Sequence, residues 1–159
     1  PYESEEWEGF ISVAFGKAHD GWIMFWVACT PLNQHVTIHA SNVDDPFPEM
    51  VMWLEAISKD NLPAEIEIDE EGQVKTMRVD RIEGQPSKVD FSVIDALEWD
   101  KDKQTILRAK LEKNQLIAEF VRKLEDYQKH DFVPMQWFEE ETQLIPDLSM
   151  FHSYLNELG

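Results

Sequence analysis

The sequence predicts an α+β domain spanning residues 1–159. A mostly antiparallel sheet of about six to seven strands carries two to three helices, in the order βββαββββαα. Three observations predict it. Short apolar or alternating runs are separated by tight-turn signals such as Asp20-Gly21 and Glu71-Gly72. Apolar residues at helical spacing follow the first three runs and return after the last four. Strands joined by such short turns pair antiparallel, which leaves the helices to cover one face.

The first strand is Phe10 to Phe15, and Asp20-Gly21 turns it into Trp22 to Cys29. This second run is apolar on both faces, with Trp22, Met24 and Trp26 on one and Ile23, Phe25 and Val27 on the other. Such a run suits a central strand covered on two sides. Pro31 to Gln34 breaks it, and Val36, Ile38 and Ala40 alternate as the third strand. Pro48 suits the first turn of a helix, where its missing N–H costs nothing, and Glu49 complements the helix N-terminus. Met50, Trp53, Leu54 and Ile57 then form one apolar stripe, closed by Asn61-Leu62-Pro63.

Glu65 to Ile68 alternate, Glu71-Gly72 turns, and Val74 to Val79 returns. Val89 to Trp99 is a long alternating run, which Asp100 to Lys103 turns into Gln104 to Leu111. Leu116, Ile117, Phe120, Val121, Leu124 and Tyr127 mark a strong helix. A short terminal helix over Met150 to Leu158 has Asp147 or Ser149 as its cap. The two strand blocks each end in a helix, but no residue-level repeat relates them.

Charge is the informative part of the composition. The chain carries 32 acids and 14 bases, a net of −18. Residues 1–60 hold ten acids and two bases, and residues 61–100 hold eleven and four. Residues 101–159 hold eleven acids and eight bases, so the first two-thirds is almost without cations. A field of that sign repels phosphate, which argues against nucleic acid and anionic membranes and for a basic protein partner. A merely solubilising surface is the competing account. No apolar run approaches a membrane span. The acidic start, Pro1 to Glu6, does not read as a signal peptide. One cysteine, Cys29, in the most apolar stretch, points to a reducing, cytoplasmic setting.

No motif names a reaction, and the sequence predicts no cofactor and no metal. His35 and His39 are four residues apart on a strand, about 13 Å, too far to share one ion. Asp100-Lys101-Asp102 begins like a calcium loop, yet Thr105 and Leu111 stand where that loop needs glycine and an acid. Asp95 is the one polar member of the row Val89, Phe91, Val93, Asp95, Leu97, Trp99. It needs a partner such as Arg78, Arg81 or Arg108, or a β-bulge near Ile94-Asp95 that turns it outward. His19, Asp20, Asp44, Asp45 and Glu49 sit on two loops and a helix start. If these converge, His and Asp form an acid/base pair, although turn and cap chemistry explains the same residues.

The acidic hairpin is the main binding candidate. Glu65 and Glu67 share one strand face, and Asp69, Glu70 and Glu71 crowd the turn. Like charges so placed repel, and a basic partner would convert that repulsion into attraction. Trp99, Trp137 and Phe138 would supply aromatic anchors. Edge-strand protection by charge is the other reading.

Three strings, Phe15-Gly16-Lys17-Ala18-His19-Asp20-Gly21-Trp22-Ile23, Asp45-Pro46-Phe47-Pro48-Glu49-Met50 and Ile68-Asp69-Glu70-Glu71-Gly72, resemble small acidic bacterial proteins of the polymorphic-toxin immunity type. The resemblance covers about a third of the chain and brings no catalytic residues with it. It implies a stoichiometric binder that neutralises a basic toxin. The expectation is therefore a non-enzymatic acidic protein that docks a basic partner. A small enzyme using His19, Asp44 and Asp45, or a self-associating module, is the alternative.

Overall fold

A computed structural model describes residues 8–17, 19–30, 34–41, 45–97, 102–131 and 146–158. The first block is β1 (Glu8–Phe15), β2 (Trp22–Thr30), β3 (Gln34–Ser41) and α1 (Pro46–Ser58). The second is β4 (Ala64–Asp69), β5 (Gln73–Arg81), β6 (Lys88–Leu97), β7 (Gln104–Glu112) and α2 (Lys113–Asp126). A π-helical turn (Tyr127–Asp131) continues α2, and a 3-10 turn (Ser149–Phe151) leads into α3 (His152–Leu158). The predicted α+β order is therefore the observed one.

All seven strands form one sheet in the order β3-β2-β1-β7-β6-β5-β4. Every neighbouring pair is antiparallel except β1 and β7, which run parallel. Turn chemistry sets the hairpins. Asp20 (φ 50°) and Gly21 (φ 80°) both take positive φ, as a two-residue hairpin turn requires, while His19 and Trp22 exchange backbone hydrogen bonds of 2.8 and 2.9 Å. Glu71 (φ 62°) and Gly72 (φ 120°) turn β4 into β5, and Asp69 Oδ1 accepts the Glu71 N–H at 2.8 Å.

The parallel pair overlaps only at Glu8↔Lys110 and Gly9↔Leu111. Beyond Gly9, the edge of β1 away from β2 runs alongside α2 instead of β7, and helix side chains take over the ladder. Gln115 Oε1 accepts the Ile11 N–H at 3.1 Å and its Nε2 donates to Ile11 O at 2.9 Å. One helical turn on, Glu119 Oε2 accepts the Val13 N–H at 2.9 Å. Residues four apart share a helix face, so Gln115 and Glu119 together satisfy backbone that would otherwise be buried without partners.

The core lies between one face of the sheet and the two long helices. Ile23, Phe25 and Val27 of β2 are buried there, as are Val89, Phe91 and Val93 of β6. Trp53 of α1 meets Phe120 of α2 edge-on at 5.2 Å, and its Nε1 donates to Ala64 O at 3.2 Å, tying α1 to β4. The helix starts at Pro46, and Pro48 falls in its first turn as expected. Asp45 Oδ1 caps the Phe47 N–H at 3.1 Å, and both Pro46 and Pro48 occupy the first turn, where a missing N–H is free of cost. At the other end of the chain Leu148 holds the cap position, and Asp147 Oδ1, one residue earlier, accepts the Ser149 N–H at 2.9 Å.

Two local expectations change. β2 lies between β1 and β3, yet only its inner face is covered: Trp22, Met24 and Trp26 remain 36%, 43% and 36% exposed. The helices pack on one side of the sheet, so the opposite row stays open. Asp95 meets none of the three arginines, since Arg78 pairs with Glu65 and Asp80, Arg81 with Asp60, and Arg108 with Asp90. A bulge does fall between Val93 and Ile94, but pairing Val93↔Leu107 and Ile94↔Thr105 leaves the extra residue, Ile106, on β7. β6 therefore stays in regular register with β5, and Asp95 faces Lys75.

Candidate functional site

The β4–β5 hairpin divides its acids into different roles. Glu65 lies opposite Arg78 and binds its Nη1 at 2.5 Å. Arg78 also holds Asp80 through Nε and Nη2 at 2.7 and 2.8 Å, and these hydrogen bonds, Asp80 first and Glu65 second, strengthen its hold on the proton. Asp69 serves the turn. Glu70 turns inward, its side chain only 6% exposed. Glu67 and Glu71 stay exposed and make no ion pair among the described residues.

Glu70 is the hub of a network that joins the ends of the sheet. Its Oε1 binds Lys75 Nζ at 2.5 Å, while its Oε2 accepts the backbone N–H of His39 at 2.7 Å and lies 3.3 Å from His39 Nδ1. Lys75 is nearly buried and also lies 3.8 Å from Asp95 Oδ1. Asp95 in turn accepts from Gln73 Nε2 at 2.8 and 2.7 Å. Trp22, His39, Glu70, Gln73 and Lys75 line a hollow of about 450 Å³ over this seam. Asp95 is legible as the odd polar member of an apolar row, whereas Lys75 lies in a row with Gln73 and Arg81, and their pairing needs the β5–β6 register.

Outward from the seam runs an apolar row. Trp22, Met24 and Trp26 project from β2 on the face away from the helices, opposite Ser41, His39 and Thr37 of β3 and beside Ala14 of β1. Phe10, on the same face of β1, is 64% exposed. The register places Glu65 and Glu67 on this outer face too, because Ala64, Ile66 and Ile68 take the inner one. In the sequence alone these tryptophans read as buried, because their run is apolar on both faces.

A second concavity of about 470 Å³ lies between α1 and β4, where Glu49, Met52 and Ala56 face Pro63, Glu65 and Glu67. Glu49 thus belongs to this groove. His19 Nε2 lies 3.1 Å from Asp20 Oδ2, with side chains 83% and 79% exposed. Asp45 is the α1 cap, while Asp44, Trp99, Trp137 and Phe138 lie outside the described residues. Burial pushes the Cys29 thiol up to about 12, so it is an inert apolar residue near neutral pH. Among the described residues no three His, Cys, Asp or Glu side chains converge as metal ligands, and no helix is long and apolar enough to cross a membrane.

Compared with protein-family models, with the curated proteins and with the solved structures, the chain matches none.

Proposed function

We propose that this chain is a non-enzymatic binding protein that docks a basic protein on the outer face of its sheet. Immunity or inhibition towards a basic toxin is the specific form of that activity. The observation that carries the reading is the exposed Trp22–Met24–Trp26 row on the same sheet face as Glu65 and Glu67. Exposed aromatic anchors and solvated acids on one sheet face are the ingredients of a protein-binding hot spot, and a monomer gains nothing by leaving them in water. The net charge of −18 favours fast, salt-sensitive capture of a cationic partner. The buried Cys29 thiol fits a reducing, cytoplasmic setting.

The hairpin contribution narrows to Glu67 and Glu71, with Glu65 shared with Arg78. Reversing the charge of Glu67 and Glu71 tests it. Partner affinity and its salt dependence fall together on this reading, and unchanged values contradict it. An enzyme built on His19 has less support, because the His19–Asp20 pair is formed by solvated sequence neighbours.

A further inference from the structure

Resting on that binding reading, we propose that an extended basic segment of the partner adds to the free edge of β4 as a further strand, seated in the groove beside α1.

β4 is the last strand of the sheet order, and its turn fixes which backbone groups face outward. Glu70 N–H donates to Gln73 O at 2.7 Å, so these residues form the hydrogen-bonded pair flanking the two-residue turn. Antiparallel pairs alternate, which makes Ile68↔Lys75 and Ile66↔Met77 hydrogen-bonded pairs as well. The N–H and C=O groups of Glu65 and Glu67 then point away from β5. Among the described residues these groups have no partner.

The edge is open only in part. At the hairpin end Glu70 ties it to His39 of β3. The groove runs from Pro63 to Glu67, about 13 Å of strand, or the length of about four residues. Its wall on α1 is apolar at Met52, which is 67% exposed, and at Ala56. Glu49, Glu65 and Glu67 supply negative charge at the rim. An exposed ion pair such as Glu65–Arg78 is worth little and exchanges readily for a partner's cation.

This chemistry selects the occupant. A strand with Lys or Arg at alternate positions offers its charges to Glu65 and Glu67. A second copy of β4 would instead bring Glu residues against Glu, which is unfavourable across strands. The same acids that guard the edge against self-addition therefore select a basic strand.

The test uses the full chain at low salt and a peptide of about eight alternating Lys and Val residues, followed by amide NMR and hydrogen exchange. A second peptide carries N-methyl groups on the alternate amides that would pair with β4. Strand addition predicts slowed exchange of the Glu65 and Glu67 amides and about tenfold weaker binding of the methylated peptide. Glu67→Pro removes an outward N–H that the β4–β5 ladder does not use, so it leaves the fold intact. It binds the peptide more weakly than Glu67→Gln, which loses the same charge but keeps the N–H, whereas equal binding by the two variants contradicts strand addition. If the proline variant fails to fold, the methylated peptide decides alone. Equal binding of both peptides, with shifts over Trp22 and Trp26 instead, overturns strand addition while leaving acidic docking in place. No binding of either peptide at about 1 mM also overturns it.

Discussion

Glu70 and His39 close the sheet towards itself: the Glu70 carboxylate takes the His39 backbone N–H at 2.7 Å, linking β3 at one end of the strand order to the turn after β4 at the other. The same carboxylate neutralises Lys75, whose side chain is only 11% exposed. Removing one partner of a nearly buried pair leaves the other charge uncompensated. Glu70→Ala should therefore cost about 3 kcal/mol in urea unfolding, with Glu70→Gln costing less because its amide oxygen still accepts from His39. An alanine variant within about 0.5 kcal/mol of wild type would show the seam to be incidental.

Glu119 makes the second such substitution of side chain for strand. It is 7% exposed, accepts from Val13 at 2.9 Å, and has Arg122 Nη1 and Lys123 Nζ each at 3.6 Å. Glu119→Ala should cost about 2 kcal/mol by orphaning a buried N–H, and Glu119→Gln should recover at least half of it. Amide exchange at Val13 provides a local check: it speeds up in the alanine variant, and an unchanged rate contradicts the assignment.

Cys29 gives a pH prediction. Burial raises its folded value to about 12 from an ordinary value of 9.0. Below about pH 9 folded and unfolded chains both keep the proton, and its contribution to stability is complete. Between about 9 and 12 the unfolded chain releases it while the folded chain does not, so stability declines as pH rises. Cys29→Ala lacks this component, so its stability difference from wild type should shrink between about pH 8 and pH 10.5. Parallel pH curves for the two proteins would contradict it.

The strand and helix order was legible because local signals agreed with each other. Asp20-Gly21 and Glu71-Gly72 are turns of the kind their residues favour, and the stripe through Met50, Trp53, Leu54 and Ile57 is buried as its spacing requires. What the sequence hid depends on contacts distant along the chain. Glu119 looks like a solvated helix residue until β1 is placed beside it, 106 residues away. Trp22 and Trp26 look buried until both helices are seen on one side. Glu65 looks like a free binding acid until the register sets Arg78 against it. Lys75 gives no signal of its own, because its row, Gln73, Lys75, Met77, Val79 and Arg81, is mostly polar, and only the register with β6 sets it against Asp95.

The binding reading is tested most directly by capturing a partner with the whole chain and three variants. Wild type, Glu67→Lys/Glu71→Lys, Trp26→Ser and a control reversal at Glu83 are immobilised in the source cell's lysate and eluted with rising salt. A solvated acidic pair and a hot-spot tryptophan predict one basic protein, retained by wild type and the control at physiological ionic strength, with about tenfold weaker retention by either test variant. Equal retention by all four proteins, or a mixture of basic proteins lost at modest salt, would mean that the acidic face serves solubility alone.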